Sequence, residues 1–439
     1  MRPLDIAIAG CGPAGLAAAL CLSRDGHRIT LFDQFDTPGP VGSGLMLQET
    51  GLAVLGELGL RDRMVALGRR IDRLLGQHAT SGRVVLDVRY KAFADGLHGV
   101  AVHRAALFHV LFDAARQAGL QVMGAHIVEG AQQDQAGKVY LRIREKGRQG
   151  PFDLVIDALG ARSRLRPGGK AGADFNPLAY GALWTTLPWP GAPFSEHHLE
   201  QRYERASVMI GVLPVGMRHE GDDAQVTFFW SIKPDDYERW RAAGLDAWKG
   251  QVRRLWPQTD GLLQQITTPD QLVMARYSHH TMRHPVSGSI VHIGDSAHAA
   301  SPQLGQGANM ALLDAWALAA ALRGADNIAH GLARYAARRA MHVRRYQALT
   351  WMFTPFYQSD SRVLPLIRDL LVAPAARMPL VPPFLAQLVA GLLGNPLTSL
   401  VLQSCPSNRG TPIRSGQSIS RLSRSPPPNT SCSQRTCAT

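Results

Sequence analysis

Apolar residues recur along the chain in two rhythms, short unbroken runs and longer Ala/Leu-rich stretches, and their alternation predicts buried strands followed by helices. Residues 4–9 form the first short run. A glycine turn and an Ala/Leu-rich stretch to about Arg24 follow it, and residues 28–32 form the second run, which is the order of a βαβ unit. The same grammar returns late in the chain. Residues 289–293 read as a buried strand, and residues 309–322, almost all Ala, Leu and Met, read as a helix of high intrinsic propensity. Between these two units, residues 50–58 are helix-like. Arg104 opens an amphipathic helix with Leu107, Val110, Leu111 and Ala114 on one face; residues 122–128 and 138–144 read as a hairpin-like excursion and 152–157 as another buried strand.

From about Phe175 the pattern changes. Residues 180–187, 207–214, 225–232 and 271–277 read as strands separated by turns, with one helical patch at 235–255. Trp184, Trp189, Trp230, Trp240, Trp248 and Trp256 fall in this region and suit an aromatic wall, with packing of the sheet against helices the default reading for any one of them. A helix over 330–353 carries Arg338, Arg339, Arg344 and Arg345. Residues 363–403 are apolar and broken by prolines, and no charge occurs from Met378 to Asn408. Pro379, Pro382, Pro383 and Pro396 prevent one membrane-spanning helix there, which leaves short helices closing the β-rich region or an apolar surface lying on a membrane. Residues 404–439 are rich in Ser, Pro, Thr and Arg and are expected to be disordered; the abrupt change after Gln403 resembles a slipped reading frame.

Composition narrows the function classes. Of the net charge of +13, the 404–439 segment supplies five arginines and no acid, and no nucleic-acid-binding motif accompanies the excess, so a nucleic-acid partner is not expected. The five cysteines (Cys11, Cys21, Cys405, Cys432, Cys437) are odd in number and lack a C-x-x-C pair, so neither a disulfide framework nor a metal site is indicated and a reducing cytoplasm fits. The apolar N-terminal stretch is interrupted by Gly10, Gly12, Pro13 and Gly15, which suits a fingerprint better than an export signal.

Two stretches carry chemistry. In Gly10-Cys11-Gly12-Pro13-Ala14-Gly15, Gly10 permits the tight turn, Gly12 admits a pyrophosphate to the backbone, and Gly15 lets helix and strand pack. Asp33, at the end of the second strand, is placed to accept a ribose hydroxyl, and an acid there favours FAD or NAD over NADP. The second stretch runs from Gly294-Asp295 at a strand tip, past Pro302, to the Gly305-Gln306-Gly307 turn and Asn309 at a helix start. Unpaired amides and the positive end of the helix dipole there face an anionic or electron-accepting ligand. Arg104 is either a phosphate clamp or a solvated charge, the glycines of residues 42–48 either approach a ligand or make a plain turn, and His298 reads as a structural loop histidine.

Gly10-x-Gly12-x-x-Gly15, Asp33, the segment Leu159-Gly160-Ala161-Arg162-Ser163, and Gly294-Asp295 with Pro302 and Gly305-Gln306-Gly307-x-Asn309 together resemble the single-component (group A) FAD-dependent aromatic hydroxylases, with the fold of para-hydroxybenzoate hydroxylase. With Phe356-Tyr357-Gln358-Ser359-Asp360-Ser361-Arg362, the nearest likeness is to ubiquinone-biosynthesis-type hydroxylases. The resemblance covers about residues 4–400 and implies an α/β architecture. A Rossmann-like FAD-binding domain (1–174 and a return segment, 285–325) would hold an inserted β-rich substrate domain (175–284), followed by C-terminal helices (326–403) and the 404–439 tail.

The resemblance also implies residue roles. Gly10, Gly12, Pro13, Ala14 and Gly15 would hold the FAD pyrophosphate, Asp33 the adenosine ribose, Arg104 the phosphates and Asp295 a ribityl hydroxyl. Gly305, Gln306, Gly307 and Asn309 would face the flavin edge, and Pro302 would line the oxygen-reacting pocket; no protein base is assigned. The implied reaction uses NAD(P)H and O₂ to hydroxylate an aromatic or quinone-precursor molecule through a flavin C4a-hydroperoxide. The implied protein is a cytoplasmic monomer or homodimer, with peripheral contact at the inner face of the membrane through 363–403 as the further option. One departure bears on this. The family has Asp-Gly where this chain has Leu159-Gly160, which removes a carboxylate linked in the family to FAD and NAD(P)H handling, and Asp157, two residues earlier, is a poor substitute. An FAD-dependent reductase or dehydrogenase of the same fold, or a flavin-binding protein without turnover, are the alternatives.

Overall fold

The computed structural model describes residues 2–39, 42–167, 177–376 and 378–402. The expected 174/175 boundary and the 404–439 tail lie outside the described residues. Met1–Asn408 makes one compact unit.

At its centre is a six-stranded sheet in the order Val286–Ser287, Ile290–His292, Leu154–Asp157, Asp5–Ala9, Arg28–Phe32, Gln121–Met123. All neighbours are parallel except the Val286–Ser287 edge. The unbroken apolar runs of the sequence are explained by burial on both faces. Ile6 and Ile8 point into a core with the helices Pro13–Arg24, Arg104–Gln117 and Gly307–Arg323, whereas Ala7 and Ala9 point to a second cluster with Val139, Leu141 and Ile143. The late strand Ile290–His292 joins the early ones, so the intervening chain is an excursion from a single sheet.

The expected 122–128 strand divides in two. Gln121–Met123 pairs in parallel with Arg28–Phe32, and Val128–Gln133 belongs to a three-stranded antiparallel sheet with Val139–Ile143 and Gly147–Phe152. The break falls at Gly124, where a Cβ would collide with the Asp36 carbonyl oxygen, and at Ala125, which has φ of 53°.

A seven-stranded sheet runs Val273–Ala275, Gly181–Pro188, Gln225–Ile232, Val208–Gly216, His198–Glu204, Arg73–His78, Val84–Arg89. It takes two strands from residues 73–89, so the β-rich layer is not confined to 175–284. The helical patch at 235–255 is two helices, Tyr237–Ala243 and Leu245–Leu255, separated at Gly244 with φ of 81°. These helices explain the tryptophans. Trp230, Trp248 and Trp256 are buried in a cluster with Leu183, Ile210 and Phe228 on the outer face, and Trp189 and Trp240 pack against it. Of the six residues expected to form an aromatic wall, only Trp184 lies on the opposite, inward face, next to Phe229.

After the helix Gly307–Arg323, a single long helix, Ile328–Tyr357, is capped by the Asn327 side chain, which accepts from the His330 amide. Short helices follow at Leu364–Ile367, Val381–Val389 and Pro396–Ser399. No helix among the described residues is long and apolar enough to cross a membrane.

Candidate active site

Register puts three strand ends side by side, because Ala9 lies opposite Asp157 and Asp157 opposite His292. The loops that leave these ends, Gly10–Gly15, Leu159–Ser163 and Gly294–His298, therefore share the carboxyl edge of the sheet at the point where strand order reverses, the usual ligand crevice of such sheets. Gly294 joins them physically. It has φ of 59°, and a Cβ there would lie 3.1 Å from Ala14 Cβ and 3.3 Å from Ala311 Cβ, so both glycine-led helices converge on it.

The fingerprint glycines divide by what surrounds them. Gly10 has φ of 105°, and a Cβ would sit 2.5 Å from the Ala158 carbonyl oxygen; a Cβ on Gly15 would strike the Gly10 carbonyl oxygen. Those two are demanded by the protein's own packing. Around Gly12 no heavy atom lies within 4 Å of a Cβ position, so that side of the loop is open. The amides of Gly12, Ala14 and Gly15 have no acceptor among the described residues, and Pro13 at the first helical position has no N–H to leave unpaired. The second turn is similar: Gly307 is open within 4 Å, and the amides of Gly307, Ala308 and Asn309 have no acceptor among the described residues. Two helix starts with free donors suit the diphosphate and the electron-rich ring edge of a dinucleotide.

Asp33 receives the Cys11 amide on one carboxylate oxygen (2.9 Å) and the Phe35 amide on the other (3.0 Å). It thus braces the first loop and keeps acceptor capacity beyond those bonds. Asp295 makes no side-chain hydrogen bond among the described residues. It is open to solvent but set within a dense cleft, whose desolvation raises its pKa while His298 and Arg104 act in the opposite direction. Arg104 starts its helix directly after His103, whose ring accepts the Ala105 amide at 3.0 Å. Its side chain lies over Gly42, it has no ion pair among the described residues, and its charge acts on both Asp295 and Tyr277. Pro302 is exposed and opens the short turn Pro302–Leu304.

Gln306 and Asn309 are placed otherwise than as side-chain ligands. Gln306 donates to the Val389 carbonyl at 2.7 Å and is buried. Asn309, fully buried, accepts the Gln48 amide (2.8 Å) and donates to the carbonyls of Met46 and Gly305 (3.0 Å each). Both shape the turn, and only their backbones are presented to the cleft.

Behind the second turn lies a buried network whose charge centre, Asp314, the sequence reading did not single out. Asp314 accepts the Gly294 amide (2.8 Å), pairs with His298 Nε2 (2.6 Å) and takes Arg339 Nε (2.7 Å). Burial alone would raise its pKa, but His298 and Arg339 outweigh this and hold the carboxyl well below the usual range. His298 is therefore structural, as its loop position suggested. The available signal was helical spacing, since Asp314 is the one acid in an otherwise apolar helix.

Among the described residues, the neighbouring Asp157 is no substitute for a carboxylate at Leu159. Asp157 is fully buried and committed to the Leu159 amide (3.0 Å), Ser163 Oγ (2.5 Å) and His292 Nδ1 (2.7 Å).

The inward side of the seven-stranded sheet is joined to the loop beside Arg104. Trp184 stacks on Phe229 with ring centroids 4.6 Å apart and donates its indole N–H to Tyr277 Oη at 2.7 Å. Burial pushes the Tyr277 phenol up, so it stays neutral and its own O–H remains a donor. Thr186 Oγ1 meets Ser43 Oγ at 3.2 Å, which ties this face to the loop beside Arg104.

The fold and crevice define a flavoprotein oxidoreductase, and comparison with known proteins supports this. The profile of the family described as FAD binding domain matches residues 3–350, and the chain belongs to that family, within the class of group A FAD-dependent aromatic hydroxylases. It is 25% identical over 377 residues to 6-hydroxynicotinate 3-monooxygenase of Pseudomonas fluorescens, covering 80% of this chain and 92% of that protein. It is 27% identical over 388 residues to aurachin C monooxygenase/isomerase of Stigmatella aurantiaca, covering 84% and 94%. The fold matches that of Klebsiella pneumoniae HpxO complexed with FAD and uric acid, with a TM-score of 0.73 and 20% identity over 89% of this chain and 98% of that one.

Proposed function

We propose that this flavoprotein is a monooxygenase that takes electrons from NAD(P)H and inserts one oxygen atom of O₂ into an aromatic or quinone-precursor small molecule. The observation that carries the reading is the pair of open glycine turns with free amides, with the sheet face of Trp184 and Tyr277 tied to the same region by Thr186 on Ser43 and by the charge of Arg104 on Tyr277. When bound, FAD supplies the redox and oxygen chemistry. Gly12, Ala14 and Gly15 would hold its diphosphate, Asp33 and Asp295 its sugar hydroxyls, and Arg104 its phosphates. The Gly307 amides and helix dipole would stabilise negative charge on the ring edge, and Pro302 would bound the reacting space. Tyr277, a neutral donor held by Trp184, would orient a substrate carbonyl or phenolate, and the apolar ring face beside it excludes water.

The relatives that oxidise hydroxynicotinate and aurachin favour a flat heteroaromatic or quinone-like substrate. The Phe356 to Arg362 stretch, on which the ubiquinone-type likeness rests, stitches the long helix to the sheet: Asp360 accepts the Tyr180 phenol at 2.7 Å and the Ser359 amide donates to Ala206. One observation favours a second reading, a reductase of the same fold. Leu159 leaves the third loop without a free carboxylate, since Asp157 is wholly engaged. Oxygen uptake with NADH or NADPH, with and without a panel of phenols, hydroxypyridines and quinolones, separates the two. Substrate-stimulated uptake with a hydroxylated product is expected; reduction of an acceptor with no oxygenated product would replace this reading with the second.

A further inference from the structure

The exposed large apolar side chains among the described residues are concentrated in one stretch of the chain, residues 341–384. On the long helix, Met341, Arg344, Arg345, Ala348, Trp351 and Met352 are all exposed and recur at spacings of three and four, so they form one solvent-facing stripe, with Trp351 at 70% exposure. The segment that follows continues the apolar character: Val363, Leu366, Leu370, Leu371, Met378 and Leu380 are exposed, Leu380 at 87%. This segment is anchored from within. Arg368 is fully buried, donating to the carbonyls of Arg205 and Phe356 (3.1 Å each) and to Asp369 (2.7 Å), and Pro365 is buried beside it. The leucines therefore project outward from a seated segment.

Charge identifies what fits this face. No acid occurs between Asp326 and Asp360, and only Asp369 follows, whereas Arg344, Arg345 and Arg362 lie exposed within or at the rim of the patch. A second copy would bring two like-charged rims together. The chain's own 404–439 segment carries five arginines, no acid and few large apolar residues, which makes it a poor cover for an arginine-rimmed apolar face. Exposed leucines with a tryptophan and an arginine rim match an anionic lipid surface, where acyl chains take the apolar groups and headgroups the cations.

We infer that residues 341–352, 363–371 and 378–384 form a face that docks the protein peripherally on an anionic membrane. The contact involves no residue of the flavin crevice, so it stands or falls separately from the proposed reaction. The test is flotation of the full-length holoprotein with vesicles of phosphatidylcholine alone or with about one-third phosphatidylglycerol. Wild type is expected to float with the anionic vesicles and to stay behind with the neutral ones. Leu370→Ser/Leu371→Ser/Leu380→Ser, and separately Arg344→Glu/Arg362→Glu, should each weaken binding by about tenfold or more while keeping the flavin absorbance of wild type. Three results would overturn the inference: no wild-type flotation, unchanged flotation of the serine variant, or a vesicle-independent dimer that the serine variant abolishes.

Discussion

The two glycine turns of the crevice are built to different specifications. In the first, Gly10 and Gly15 are fixed by contacts with the protein itself, and Asp33 braces the loop through the Cys11 amide. In the second, Gly307 is open and the loop is held from behind, by Asp314 on the Gly294 amide and by Asn309 across the turn. The first turn is rigid through close packing of backbone on backbone. The second is rigid through buried hydrogen bonds, which makes it the half that responds to charge and pH. A glycine in a fingerprint is thus not one kind of residue: Gly15 serves the fold, Gly12 the ligand.

That contrast can be broken most severely at Gly15. Gly15→Val is expected to abolish soluble folding, because its Cβ has no space against Gly10; a cooperative thermal transition near that of wild type would refute the packing account. Next, Asp314→Ala should cost about 3–5 kcal/mol, since it leaves Arg339 buried without its carboxylate. Chemical denaturation measures this, and a loss under about 1 kcal/mol would mean the second turn is not held from behind.

Acid should act on the network behind the second turn through His342 and on the start of the Arg104–Gln117 helix through His103. Burial, with Arg339 beside it, lowers His342 to about 3, and burial, with Arg218 nearby, lowers His103 to about 4. Both folded values lie below the ordinary 6.5, so the unfolded chain binds more protons between those limits. The stability these groups contribute is complete above about pH 6.5 and is lost as pH falls toward 4, on the order of 1–2 kcal/mol each by pH 5. Asp314, depressed in the same sense, adds its loss only at lower pH, below the ordinary carboxylate value. Denaturation midpoints at pH 7 and 5 check this, and His342→Gln should remove only the His342 share of the difference. An effect of the same order is expected at Asn309. Asn309→Ala removes the acceptor for the Gln48 amide and two donated bonds, lowering stability by about 1–3 kcal/mol, which chemical denaturation measures.

Much of this was legible in the sequence because the parallel sheet is buried on both faces. Residues 4–9, 28–32, 152–157 and 289–293 show as unbroken apolar runs, and the glycine motifs follow two of them directly. The strands Arg73–His78 and His198–Glu204 were not legible, because half-exposed strands with Arg, Gln, Glu and His lack an apolar signal. The tryptophans were ambiguous for a related reason. Side-chain alternation sends Trp230 to one face and Phe229 to the other, and only the helices behind the sheet decide which face is packed and which meets the cleft. Gln306 and Asn309 look like ligands by position, but their partners, Val389 and Met46, are far along the chain.

The most direct measurement is the flavin content of Gly12→Val and Asp295→Ala, purified beside wild type and read as absorbance per polypeptide together with melting temperature. Gly12 has free space and Asp295 no internal partner among the described residues, so both variants should emerge colourless yet melt near wild type stripped of its flavin. Full flavin absorbance in either would contradict the division of one FAD between the two turns.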